Sequence, residues 1–116
     1  MSLRVSVLYA RLRAGVSPAD VASHTARLTV QVRVTNLTSR AIELARPQLG
    51  VDGRSIGADT VTTNLLPLAA RTSARAVVRF ATTGTFTDRL TSAKRAKLKF
   101  GTRLVPVTVR IAESGR

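Results

Sequence analysis

The stretch "RLTVQVRVTNLTSRAIEL", Arg27–Leu44, decides the fold. It opens in strict alternation: Leu28, Val30, Val32 and Val34 fall on one side of an extended chain, and Arg27, Thr29, Gln31 and Arg33 on the other. A period of two marks a strand half-buried on a core, and β-branched valine and threonine are stiff at χ1 in a way that suits a pleated surface. The alternation stops at "TNLTSR", where Asn36 and Ser39 are short enough to bond local backbone and so favour a turn. "AIEL" then begins another short strand. A strand that is aliphatic within and arginine-bearing without raises the question of what its outer side meets.

Working outward, Leu3–Leu12 reads as a first strand, with Leu3, Val5, Val7 and Tyr9 on one face and Leu8 and Leu12 on the other. In "GVSPADVASHTA", Ser17-Pro18-Ala19-Asp20 has the form of a helix start, and either a turn or two of helix at most or a loop is expected. "DGR", Asp52–Arg54, is a tight-turn signal, and "DTVTTNLL", Asp59–Leu66, suits a short strand. "RTSARAVVRFAT" alternates again, with Ala74, Ala76, Val78 and Phe80 inward and Arg75, Val77 and Arg79 outward. "TFTDRLTSAKRA", Thr85–Ala96, reads as a loop with a helical turn. The end is a hairpin, "AKLKF", "GT", "RLVPVTVRI": Ala96, Leu98 and Phe100 share one face, Val105, Val107, Val109 and Ile111 another. Pro106 lacks an N–H, which assigns its strand to an edge or a bulge.

Short strands at turn-marked spacing, with almost no sustained helical period, predict an all-β fold. Its expected form is an immunoglobulin-like antiparallel β-sandwich of about seven strands with at most a short helical turn. A chain of 116 residues is one domain, 1–116, large enough to fold on a core without staples. It has no cysteine, which removes disulfides, thiolate nucleophiles and Cys-built zinc sites. No apolar run approaches the ~18 residues of a membrane helix. The amino terminus lacks the ordered regions of a secretion signal, although a leader trimmed from the natural protein would be compatible with an extracytoplasmic location.

The charge is strongly one-sided, 19 Lys plus Arg against 6 Asp plus Glu, a formal net charge of +13. Arginine's fork pairs bidentately with phosphate and carboxylate, so an anionic polymer is the partner this balance suggests. A codon bias toward arginine is the plainer source of the same excess. The second and fifth strands of an immunoglobulin-like order are neighbours, which would gather Arg27, Arg33, Arg75 and Arg79 on one solvent face. Lys97, Lys99 and Arg110 would lie on the terminal hairpin of the other sheet. These seven residues are the candidate polyanion-binding set; a solvated face that blocks edge pairing is the competing reading. Of the aromatic residues Tyr9, Phe80, Phe86 and Phe100, Phe80 and Phe100 point inward, which argues against a base-stacking platform.

Catalysis needs a positioned acid, base or nucleophile, and the sequence offers a single histidine, His24, in a polar loop context. Asp20 and His24 are four apart, a spacing that on a helix can seat a metal, but no further His or Cys stands by as a ligand. The acids form no Asp-x-Asp loop. No catalytic residue, metal site or cofactor is expected. "NLT", Asn36–Thr38, fits the glycosylation pattern and equally a strand-end turn.

The order "VRVTNLT", a polar turn, a strand, "VDGR", the step "LLPLA" and then "ARAVVRF" resembles the immunoglobulin-like accessory domains of bacterial extracellular proteins, of the immunoprotective or unknown-function type. It is similar also to late-embryogenesis-abundant-type sandwiches, although Leu37 follows Asn36 where that group has proline. The resemblance spans about Leu28–Ile111 and implies the fold and a non-enzymatic, envelope-associated role. The expected function is therefore a non-catalytic binding module of the bacterial cell envelope, whose partner is an anionic envelope polymer or a protein. A basic structural or virion protein holding nucleic acid by its phosphates is the alternative, and an enzyme or metal carrier centred on His24 is the third reading.

Overall fold

The computed structural model describes residues 3–15, 18–43, 46–58, 60–61, 68–100 and 103–112. Its centre is the strand on which the sequence reading rests. With β1 (Leu3–Ala14) before it, β2 (Ala26–Asn36) buries every even position, and Leu28, Val30, Val32 and Val34 are wholly excluded from water. Next come β3 (Gln48–Val51), β4 (Arg54–Gly57), β5 (Thr60–Val61), β6 (Ser73–Thr82), β7 (Arg95–Phe100), β8 (Arg103–Thr108) and β9 (Arg110–Ala112). They form a five-stranded sheet ordered β5-β6-β2-β1-β9 and a four-stranded sheet ordered β4-β3-β7-β8. Leu49, Leu98, Phe100 and Val107 of the smaller sheet share one core with Leu28, Val30, Val78 and Phe80 of the larger. This is the expected all-β sandwich, with more described strands than foreseen because β3 and β4 flank the Asp52-Gly53 turn and the terminal strand divides into β8 and β9.

Between β8 and β9 the chain passes directly from the smaller sheet to the larger. After β8, Val109 is buried and donates its N–H to the Lys94 carbonyl at 2.8 Å, and β9 then joins the other sheet. There it pairs with β1 in parallel, the one parallel ladder among the described strands. Pro106 sits on β8, at the edge of its sheet, where its missing donor removes no central ladder bond. At the "DGR" turn Asp52 and Gly53 both have positive φ, 49° and 80°, and Val51 pairs with Arg54 across them. That backbone matches a primed two-residue turn, whose twist suits a hairpin.

Three local expectations are corrected. On β1 the register skips between Val7, opposite Val32, and Tyr9, opposite Gln31, so Leu8 is an extra residue in a β-bulge. The bulge reverses the alternation: Leu3 and Val5 are buried before it, Ala10 and Leu12 after it, and Tyr9 turns outward. The residues of "AIEL" form no strand among those described; Ile42 makes an isolated bridge to Leu68, with both N–H···O bonds at 2.9 Å. Of the expected strand at Asp59–Leu66, Thr60 and Val61 form β5, and the rest lies outside the described residues, as does the turn at Gly101-Thr102.

The third correction is a helix. A short α1 (Pro18–Ser23) was one of the two forms expected of its segment, but Thr85–Ala96 contains a second helix, α2 (Gly84–Ala93), rather than a loop. Gly84 opens it with φ +53°, a value costly for a side chain bearing Cβ, and Lys94 closes it in the left-handed region with its N–H on the Leu90 carbonyl. Phe86 and Leu90, one turn apart, enter the core. The threonines that weaken helix propensity here are bonded: the Thr87 and Thr82 hydroxyls meet at 2.8 Å, and the Thr91 hydroxyl donates to the Thr87 carbonyl.

Asn36 ends β2 with no exposed surface. Its amide nitrogen donates to the carbonyls of Arg40 (2.7 Å) and Leu68 (3.0 Å), and its Oδ1 accepts from the Thr38 N–H (2.9 Å) and hydroxyl (2.6 Å). "NLT" is thus a strand-end turn in this fold, with the carboxamide fastening it to the segment at Leu68.

Candidate polyanion-binding faces

None of the nine described strands contains an aspartate or glutamate. The five strands of the larger sheet carry eight arginines, Arg4, Arg11, Arg13, Arg27, Arg33, Arg75, Arg79 and Arg110, and all eight are exposed on its outer face. The described acids lie outside the strands instead: Asp20 on α1, Glu43 between β2 and β3, Asp52 in the β3–β4 turn and Asp88 on α2.

The ladders fix how the arginines stand. Arg33 is directly opposite Arg75, Arg13 opposite Arg27, and Arg11 opposite Arg110. Thr29 separates Arg11 from Arg79 in one row across the sheet. Adjacent strands are about 4.8 Å apart, and alternate residues along a strand about 6.8 Å. Arg11, Arg13, Arg27, Arg79 and Arg110 therefore make one cluster, and Arg4, Arg33 and Arg75 another. Between them runs a neutral row of Tyr9, Gln31 and Val77. The Arg79 and Arg75 rows are separated by four residues, about 13 Å.

Sequence reasoning grouped Arg27, Arg33, Arg75 and Arg79 on one face, and the β2–β6 ladder brings them together. It placed Arg110 on the other sheet, which is corrected: β9 has crossed over, so Arg110 stands beside Arg11. Arg11 and Arg13 were missed because an unbroken alternation assigns Tyr9, and with it both arginines, to the core side; the bulge at Leu8 cannot be read from periodicity. Tyr9 is 43% exposed, and the Arg11 guanidinium carbon lies 5.9 Å from its ring centroid. Phe80, Phe86 and Phe100 are buried, so Tyr9 is the face's aromatic. A groove of about 520 Å³ opens beside it, between the bulge and the β8–β9 crossing, with Arg11 and Arg110 on its wall.

Lys97 and Lys99 are on the outer face of the smaller sheet, with Arg95 in the same alternation. Lys97 is flanked by Gly50 and Pro106, Lys99 by Gln48 and Leu104. These uncharged neighbours leave a trough of about 930 Å³ along the sheet. Asp52, at its end, lies 3.6 Å from an Arg89 nitrogen.

Chain comparisons with family models, curated proteins and solved structures gave no match.

His24 follows α1 in the left-handed region, φ 53°, and its Nδ1 lies 3.1 Å from Asp88 Oδ1 on α2. Both side chains are more than half exposed, so the contact is a water-accessible tie between the helices. Among the described residues no three His, Cys, Asp or Glu side chains converge as metal ligands. No described helix is long and apolar enough to cross a membrane.

Proposed function

We propose that the protein is a non-catalytic binding module that lays the outer face of its larger sheet along a linear phosphodiester polymer. The observation that carries this reading is the set of directly opposed arginine pairs on a face without a strand carboxylate. Like charges directly opposite in a sheet destabilise it. At about 5 Å in water each such pair costs roughly 0.8 kcal/mol. A phosphate seated between two guanidiniums replaces that repulsion by two charge-assisted contacts. Teichoic-type envelope polymers and nucleic acids share this backbone chemistry. The envelope source agrees with the resemblance to bacterial extracellular accessory domains, and the nucleic-acid source with a structural or virion role.

Fluorescence anisotropy with end-labelled inorganic polyphosphate tests recognition of closely spaced anionic phosphates, and a polyol-phosphate chain and a DNA duplex, both phosphodiesters, separate the sources. Binding to polyphosphate at low salt (~50 mM) is expected, with a duplex salt slope, if it binds, of about −4 for four or five phosphate contacts. Tighter binding to the polyol-phosphate favours the envelope; tighter binding to the duplex favours the nucleic-acid role. No binding to any of the three overturns the reading.

A further inference from the structure

Arg95, Lys97 and Lys99 point away from the arginine face, because they belong to the opposite layer of the sandwich. Packed sheets lie about 10 Å apart, so with side chains added the two basic surfaces are held well apart on opposite sides of one rigid core. A straight polymer that lies on one of them does not reach the other. The second surface is also a recess. Gly50 puts no side chain beside Lys97, and a Cβ there would sit 3.6 Å from the Arg54 carbonyl oxygen, so the trough floor is bare backbone. Leu104 and Pro106 line its far side without any charge opposing the cations. The carboxylate at its end, Asp52, is the one facing Arg89. Arg54, Arg95, Lys97 and Lys99 line the trough against the one carboxylate of Asp52, and lysine's point charge suits a phosphate that is held without a fixed fork geometry.

We infer that this trough is a second phosphate-binding surface and that a single domain cross-bridges two polyanion segments, one on each sheet. The inference rests on the proposed polyanion binding and adds its valence. Two cationic surfaces on one body raise the local concentration of one polymer around another, so the product is a bundled polymer rather than a merely coated one.

The test uses two populations of inorganic polyphosphate, one end-labelled with an energy-transfer donor and one with an acceptor. Wild-type protein is expected to raise transfer when it is scarce relative to polymer and to lose it in excess, as each chain becomes separately coated. Lys97→Glu with Lys99→Glu is expected to keep most of the anisotropy change on one labelled chain and to abolish transfer. Arg33→Glu with Arg75→Glu is expected to lower the affinity several-fold. Binding without transfer in the wild type, or transfer surviving in the lysine variant, overturns the bridging inference alone. No anisotropy change in the wild type overturns the binding reading beneath it. Sedimentation of the polymer-free wild type must give a monomer; a dimer would supply two faces by self-association and also sinks the inference.

Discussion

Arg33 and Arg75 face each other across the β2–β6 ladder, like charge against like charge, on the solvent side of the larger sheet. Neither side chain supports the core, which lies beneath them in Val32, Val34 and Ala76. Stability and function therefore separate on this face, and substitutions there should move one without the other.

Reversing Arg33 and Arg79 to Glu is expected to leave the fold intact. Each Glu gains an arginine or a polar neighbour on the adjacent strand, so thermal midpoint at low salt should hold or rise slightly, by no more than about 1 kcal/mol of stability. Polyphosphate affinity should fall, and the slope of log K against log salt on a duplex should shrink by about two. A double variant that unfolds would show that these positions face the interior.

The bulge makes an unusual prediction about a deletion. Removing one residue from the middle of a strand ordinarily turns the following side chains to the wrong face. Removing Leu8 instead leaves Val7 opposite Val32 and Tyr9 opposite Gln31 as successive pairs, in an unbroken ladder. The deletion variant is expected to fold with a loss within about 1 kcal/mol, measured by urea titration, since Leu8 is 44% exposed. Loss of the cooperative transition would place the extra residue elsewhere.

What was legible in the sequence follows from where periodicity was strong. β2, β6 and β7 alternate without interruption, and their inward and outward positions were read correctly from residue type alone. Arg27 with Arg33 and Arg75 with Arg79 came together because adjacent strands with known faces need only a neighbour relation. Three things escaped for physical reasons. A bulge shifts parity with no residue type that announces it, which hid Arg11 and Arg13. The crossing at Val109 moves Arg110 between sheets, and a hairpin pattern is silent on where its second strand ends. The helix α2 depends on Phe86 and Leu90 finding the core and on threonine hydroxyls finding partners, tertiary gains that override weak local propensity.

Asn36→Ala tests the buried turn. The substitution removes a fully buried carboxamide and leaves the Arg40 and Leu68 carbonyls and the Thr38 N–H without that partner. An unsatisfied buried polar group costs about 1–3 kcal/mol, and water can reach the Thr38 side, so a loss of about 3 kcal/mol is expected. Asn36→Asp should be no better, because a carboxylate cannot donate to Leu68. A loss below about 1 kcal/mol for either variant would mean the turn holds without its side-chain bonds.

Leu90→Ala tests whether α2 belongs to the core or rests on it. Leu90 has no exposed surface and sits one turn from Phe86, and the helix ends on its carbonyl through the Lys94 N–H. Truncation removes apolar volume from a filled interior, at a cost of about 2–5 kcal/mol depending on how far the neighbours collapse. Backbone propensity does not offset this, although alanine is the better helix former, because the difference is only tenths of a kcal/mol. Thr91→Ala, on the exposed side, is the control: it is expected to stay within about 1 kcal/mol, losing one hydroxyl bond to the Thr87 carbonyl and gaining propensity. If chemical denaturation finds the two substitutions equivalent, the helix is not packed on the sandwich through Leu90.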